Sequence, residues 1–155
     1  EINNFPQSTK SLLPKRLPGE EPLRGEWVAP SVISKHNPDI IYHGMQFVMM
    51  SRDKGDTWEF ISHDLSYNDP TKRGDINYQT ISVLDESPLR FGLLYAGTDD
   101  GRIWRTKDGG KNWTEIRNGP VPQKFVSRII ASAYDIGTVY MTQTGRRDDY
   151  FQVYI

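Results

Sequence analysis

A pattern of eight residues, Ser51-Arg-Asp53-Lys-Gly55-Asp-Thr57-Trp58, returns as Thr106-Lys-Asp108-Gly-Gly110-Lys-Asn112-Trp113. A hydroxyl, an Asp, a Gly, a small hydrogen-bonding residue and a Trp recur at the same offsets, 55 residues apart. That distance is too long for a hairpin and suits a unit of four strands. Internal repetition of this length predicts a repeat architecture.

The pattern reads as a turn. The Asp carboxylate can accept bonds from the backbone N–H groups that follow it. Gly55 and Gly110 can supply a positive φ that other residues resist. Trp58 and Trp113 restart an apolar strand and offer a face to a neighbouring unit. The hydroxyls of Ser51, Thr106 and Thr57 can tie the remaining polar groups. Each part thus has a structural task. Recurrence in successive units argues against Asp53 and Asp108 as catalytic acids. Asn112-Trp113-Thr114 also fits a glycosylation acceptor, but Asn112 should be tied into the turn.

Short apolar runs surround these turns. The first unit reads as strands over 27–34, 40–44, 47–52 and 57–62, with His36-Asn37-Pro38-Asp39 as a turn. The second reads over 78–84, 93–98, 103–107 and 112–117, with its turn at 86–92. A third unit reads over 125–133, 138–144 and 150–155 and stops before a fourth strand. Tyr42, Tyr95 and Tyr140 occupy matching places in the second strands. Evenly spaced short strands with one motif per unit predict an all-β chain, a β-propeller built from blades of four antiparallel strands. The blades fall at about 27–62, 78–117 and 125–155, two of them full and the third partial. Closed propellers need about four to eight blades. The chain is therefore expected to be a fragment of a larger propeller, completed by remaining blades of the same chain or by other subunits. Residues 1–26, with Pro6, Pro14, Pro18 and Pro22 among mixed charges, read as an extended strap or linker.

Composition narrows the function. Net charge is −1, so no global field recruits nucleic acid. There is no cysteine, which removes disulfides, thiolate chemistry and Cys-ligated zinc. No apolar run approaches a membrane span. Aromatics make up 12 % of the chain, as expected where rings fill blade seams. His36, His43 and His63 lack ligand spacing and read as turn or surface residues, so no metal is expected. Met45, Met49 and Met50 read as seam packing. No phosphate loop or nucleophile elbow occurs, and no cofactor is expected.

The repeated turn resembles the Asp-box, or bacterial neuraminidase repeat, which in that family joins the third and fourth strands of a propeller blade. Further resembling strings are Asn37-Pro-Asp-Ile-Ile-Tyr42, Ser62-His-Asp-Leu65, Gly74-Asp-Ile-Asn-Tyr78, Glu86-Ser-Pro88, Leu94-Tyr-Ala-Gly-Thr-Asp-Asp-Gly101, Ser127-Arg-Ile129 and Asp148-Asp-Tyr150. From residue 27 onward the chain is similar to large bacterial sortilin-like and "glycosyl hydrolase" repeat proteins. The resemblance implies an exported, extracytoplasmic protein of the bacterial envelope. It implies no particular reaction, because fold does not give function.

Topology places candidate sites. Turns 1–2 and 3–4 of a blade share one face of the disc, so the Asp turns lie beside the turns at 36–39 and 86–92. The other face carries 44–46, 63–77, 98–101, 118–124 and 145–149. There, Asp99 and Asp100 pair with Asp148 and Asp149 as candidate acids for glycoside hydrolysis, one as acid and one as base or nucleophile. Asp75, Tyr78, Arg146 and Arg147 are candidate binding residues. The plainer reading makes these solvated turns, with Asp99 or Asp100 capping a hairpin. The Arg-Ile-Pro string that often opens sialidases is absent, Arg128-Ile-Ile being nearest. Two functions follow: a non-catalytic binding or scaffold propeller that recognises a protein, peptide or glycan, which is preferred, and a sialidase- or xyloglucanase-like hydrolase.

Overall fold

The computed structural model describes residues 12, 14, 19, 22–72, 79–116, 124–145 and 153–154 of the chain. Three antiparallel sheets follow one another. Blade 1 holds β1 (Ser31–Ile33), β2 (Ile41–Gly44), β3 (Val48–Ser51) and β4 (Glu59–Phe60). Blade 2 holds β5 (Ile81–Glu86), β6 (Leu94–Thr98), β7 (Ile103–Thr106) and β8 (Thr114–Glu115). Blade 3 holds β9 (Phe125–Ala131), β10 (Val139–Thr144) and β11 (Val153–Tyr154). Each strand pairs with its sequence neighbour, so every blade is an up-and-down meander. Among the described residues the sole helical element is a 3₁₀ turn at Pro70–Lys72. The chain is all-β and its sheets are propeller blades.

Several strands are shorter than the apolar pattern suggests. Trp27 sits in a turn with 98 % of its surface exposed, and β1 starts only at Ser31. The fourth strands shrink to two residues each because Asp53 and Asp108 capture the N–H groups of Thr57 and Asn112 just before them. β5 begins three residues later than 78 because Gln79 takes a positive φ of 64° and Thr80 gives its N–H to Asp99. It also runs on to Glu86, which pairs with Leu94 across the register.

The seams between blades are the core. β1 lies against β5, and β5 against β9, so the first strands of the blades line up side by side. Ile40, Tyr42, Val48 and Met50 of blade 1 pack with Ile81, Leu84, Leu94, Ala96 and Trp104 of blade 2. Leu93 and Tyr95 pack with Val126, Ile129 and Ala131 of blade 3. β6 is buried along its whole length because alternate residues face opposite seams, as in a strand covered on both sides. Burial of each such aliphatic side chain contributes about 1.5–3 kcal/mol relative to exposure. Gly44 and Gly97 sit where a Cβ would strike Ile81 and Val126 of the following blade, so these second strands approach the next first strand closely. Met50 fills the first seam. Met49 alternates to the other face of blade 1, where it is 0 % exposed.

The first turn of every blade is built alike. The amides of Ser34, Ser87 and Ser132 bond to the carbonyls of Ile40, Leu93 and Thr138. Their hydroxyls turn back to accept backbone N–H groups two or three residues on: His36 and Asn37, Leu89, and Tyr134 and Asp135. In each blade the Ser stands eight residues before Tyr42, Tyr95 or Tyr140, a spacing present in the sequence but not singled out above. Tyr42 and Tyr95 point into the seam with the following blade. Tyr140, paired in register with Ile130, lies on the outward face of blade 3, 63 % exposed, with Ile130 at 43 %.

Candidate functional site

The two repeated turns are bonded at the same side-chain positions. Ser51 Oγ donates to Asp53 Oδ1 at 2.8 Å and accepts the Gly55 N–H at 2.7 Å. Asp53 Oδ1 accepts the Thr57 N–H at 2.8 Å, and Oδ2 accepts the Thr57 hydroxyl at 2.7 Å. In the second turn Thr106 Oγ1 donates to Asp108 Oδ1 at 2.8 Å and accepts from Gly110 N at 2.9 Å. Asn112 supplies both N–H and side-chain amide to Asp108, at 3.0 and 2.7 Å. These donors hold both carboxyls well below the usual range, at about 2, the Thr57 amide being the largest cause for Asp53 and the Asn112 side chain for Asp108. Lys54 and Gly55 have positive φ of 57° and 89°, and Gly109 and Gly110 repeat that pair at 70° and 98°. The indole N–H of Trp113 reaches across the seam to the Ile61 carbonyl at 2.7 Å.

On the opposite face Asp99 is buried. Its Oδ1 accepts the Thr80 N–H at 2.9 Å and its Oδ2 the Gln79 N–H at 3.1 Å, so it fastens the entry to β5. Asp100 accepts the Thr98 hydroxyl at 2.5 Å and the Tyr67 N–H at 2.8 Å. Burial is the largest influence on its carboxyl and pushes it up, against these hydrogen bonds and Arg102. Arg102 forks onto Glu115 at 3.2 and 3.1 Å, donates to the Ser66 carbonyl at 2.8 Å, and lies over the Trp104 and Tyr67 rings. Trp104 Nε1 donates to the Leu65 carbonyl at 2.7 Å. Together these contacts dock the blade 1–blade 2 connection onto blade 2. Asp75, Tyr78, Arg146, Arg147, Asp148 and Asp149 lie outside the described residues. The pairing of Asp99 and Asp100 with Asp148 and Asp149 therefore falls outside them too. Among the described residues no cluster of three His, Asp or Glu could hold a metal ion.

The Asp-turn face carries an open groove of about 460 Å³ along the first seam. Tyr42 and Met50 form its floor, Phe60 and Phe91 stand half-exposed at its sides, and Arg52, Glu59 and Lys111 ring it with charge. Arg52 and Glu59 pair at 2.9 Å within blade 1. Nothing in the sequence brings Phe60, Phe91 and Lys111 together, because the groove forms only when two blades meet.

Two polar groups are buried where the sequence gives no sign of it. Glu86 is fully buried and accepts from Ser34 Oγ at 2.7 Å, Lys35 N at 2.8 Å and Tyr42 Oη at 3.0 Å, sewing blade 1 to blade 2. Burial first, and then the Glu86 charge, push the Tyr42 hydroxyl well above its ordinary range, as suits a neutral donor. His43, expected in a turn or at the surface, is instead 8 % exposed on β2. The alternation of β2 sends it to the same face as Met49, its register partner. Its Nδ1 lies 2.7 Å from Ser31 Oγ, its ring meets Trp58 edge-on, and burial lowers its pKa.

No protein-family model and no curated protein matches this chain. Among solved structures it is similar to YCF48 from Cyanidioschyzon merolae, a β-propeller, with a TM-score of 0.52 and 21 % identity. The match covers 85 % of this chain and 38 % of that one. At this identity the likeness shows the fold alone.

Proposed function

We propose that the chain is part of a non-catalytic binding or scaffold propeller of the Asp-box, sortilin-like type, exported to the bacterial envelope. One observation carries this reading. Asp53, Asp108, Asp99 and Asp100 each accept two or more hydrogen bonds from their own chain and hold turns together. A general acid or nucleophile needs an oxygen turned toward substrate. The surface suited to a protein, peptide or glycan is the first-seam groove, with rings at its sides and charges at its rim. A further blade, from the same chain or another subunit, would pack on Ile130 and Tyr140.

The test pairs turnover with stability. Chromogenic glycosides are incubated with the protein and with its Asp99→Asn and Asp100→Asn variants. No turnover by any of them, with a lower melting temperature for Asp99→Asn, is the expected result. Turnover that vanishes in either variant while its melting temperature is unchanged would sink the proposal in favour of a hydrolase.

A further inference from the structure

The two faces of a seam can be compared position by position, because Gly55 and Gly110 are equivalent. A Cβ at Gly110 would lie 2.6 Å from the Ile61 carbonyl oxygen and 2.7 Å from Ile61 Cβ. The residue just after β4 of blade 1 thus fills the hollow of the blade 2 turn. Gly55 has the same backbone conformation and the same hollow, yet no described blade precedes blade 1. A Cβ at Gly55 would instead lie 2.5 Å from Leu12 Cδ2. Leu12 stands at Gly55 where Ile61 stands at Gly110.

A second contact fixes the same part of the chain at the other end of blade 1. Gln46, fully buried in the β2–β3 turn, donates to the Pro22 carbonyl at 2.9 Å and accepts the Arg24 N–H at 2.7 Å. Arg24 also pairs with Asp64 at 2.5 Å. Leu12 and Pro22 are therefore anchored at opposite ends of one blade. The central residues of that face, His43 and Met49, are buried, whereas the outward face of blade 3 leaves Tyr140 open.

We propose that the hollow at Gly55, on the outward face of blade 1, is a blade-binding seat that Leu12 occupies in the place of a preceding blade's fourth-strand residue. Leu12 supplies there the aliphatic side chain that Ile61 supplies to the hollow at Gly110. On this arrangement Leu12 holds the Gly55 seat of blade 1, while Ile130 and Tyr140 of blade 3 stay exposed.

A double-mutant cycle on the full chain tests the seat. Gly55→Ala and Leu12→Ala are measured singly and together by urea unfolding. If Leu12 fills the hollow, the added methyl clashes only while Leu12 is present. Gly55→Ala should then shift the unfolding equilibrium less in the Leu12→Ala background, by about threefold or more. Additive effects would overturn the proposal. Hydrogen exchange of Leu12→Asp supplies a readout that does not depend on global stability. Faster exchange over residues 51–60 with no change over 106–115 is expected. Equal acceleration of both turns, or of neither, would also overturn it.

Discussion

At the residue scale the repeated Asp is a proton-sensitive clamp. Asp53 and Asp108 have folded-state values near 2, below the ordinary 3.8. A lowered carboxyl contributes stability above its unfolded value and loses it as pH falls through the folded one. The melting temperature should therefore decline between about pH 4 and pH 2, and Asp53→Asn or Asp108→Asn should flatten that limb while lowering the plateau. An acid limb equally steep in both variants would remove these carboxylates from the account. Asp100 works in the opposite sense, since burial raises it. The clamp was legible because all its donors lie within six residues of its hydroxyl. Glu86 was not, because all its donors but the Gly92 N–H, namely Ser34, Lys35 and Tyr42, belong to another blade. His43 was misplaced for a related reason: the sequence shows β2 as apolar, but not that both of its faces are covered.

At the element scale the turns are asymmetric in what crowds them. Gly110 combines a φ of 98° with an approach to the Ile61 backbone, which cannot swing aside. Gly55 combines 89° with the flexible end of Leu12. Both Ala variants carry the left-handed penalty of about 1–2 kcal/mol. Gly110→Ala should cost more than Gly55→Ala in urea unfolding, by about 1 kcal/mol or more, given the added overpacking. Equal costs would mean that the seam yields to the methyl. The blade order and nearly every strand were legible from the motif spacing and the apolar runs. Strand ends were not, since Asp53, Asp99 and Asp108 take backbone donors that a ladder would otherwise use. The Ser-to-Tyr spacing of eight is legible too, since it recurs in all three blades.

At the scale of the whole molecule the two ends of the blade stack differ. Ile130 and Tyr140 form an apolar step on a sheet whose opposite face is already buried against blade 2. A face of this kind invites pairing with a second chain. The 155-residue chain should self-associate with rising concentration, and Tyr140→Lys should shift sedimentation toward the monomer without lowering the melting temperature. Sedimentation unaffected by Tyr140→Lys would point to another contact.

The Trp113–Ile61 hydrogen bond also has a consequence in time. Its partners are 52 residues apart, and the strand it secures, β4, has two residues in register. On a ribosome adding ~5–20 residues per second, Trp113 emerges roughly 3–10 s after Ile61. Until then the rim of blade 1 lacks its fastening. Blade 1 would thus be finished by blade 2, and synthesis in this direction delays the locking of its rim until blade 2 is made.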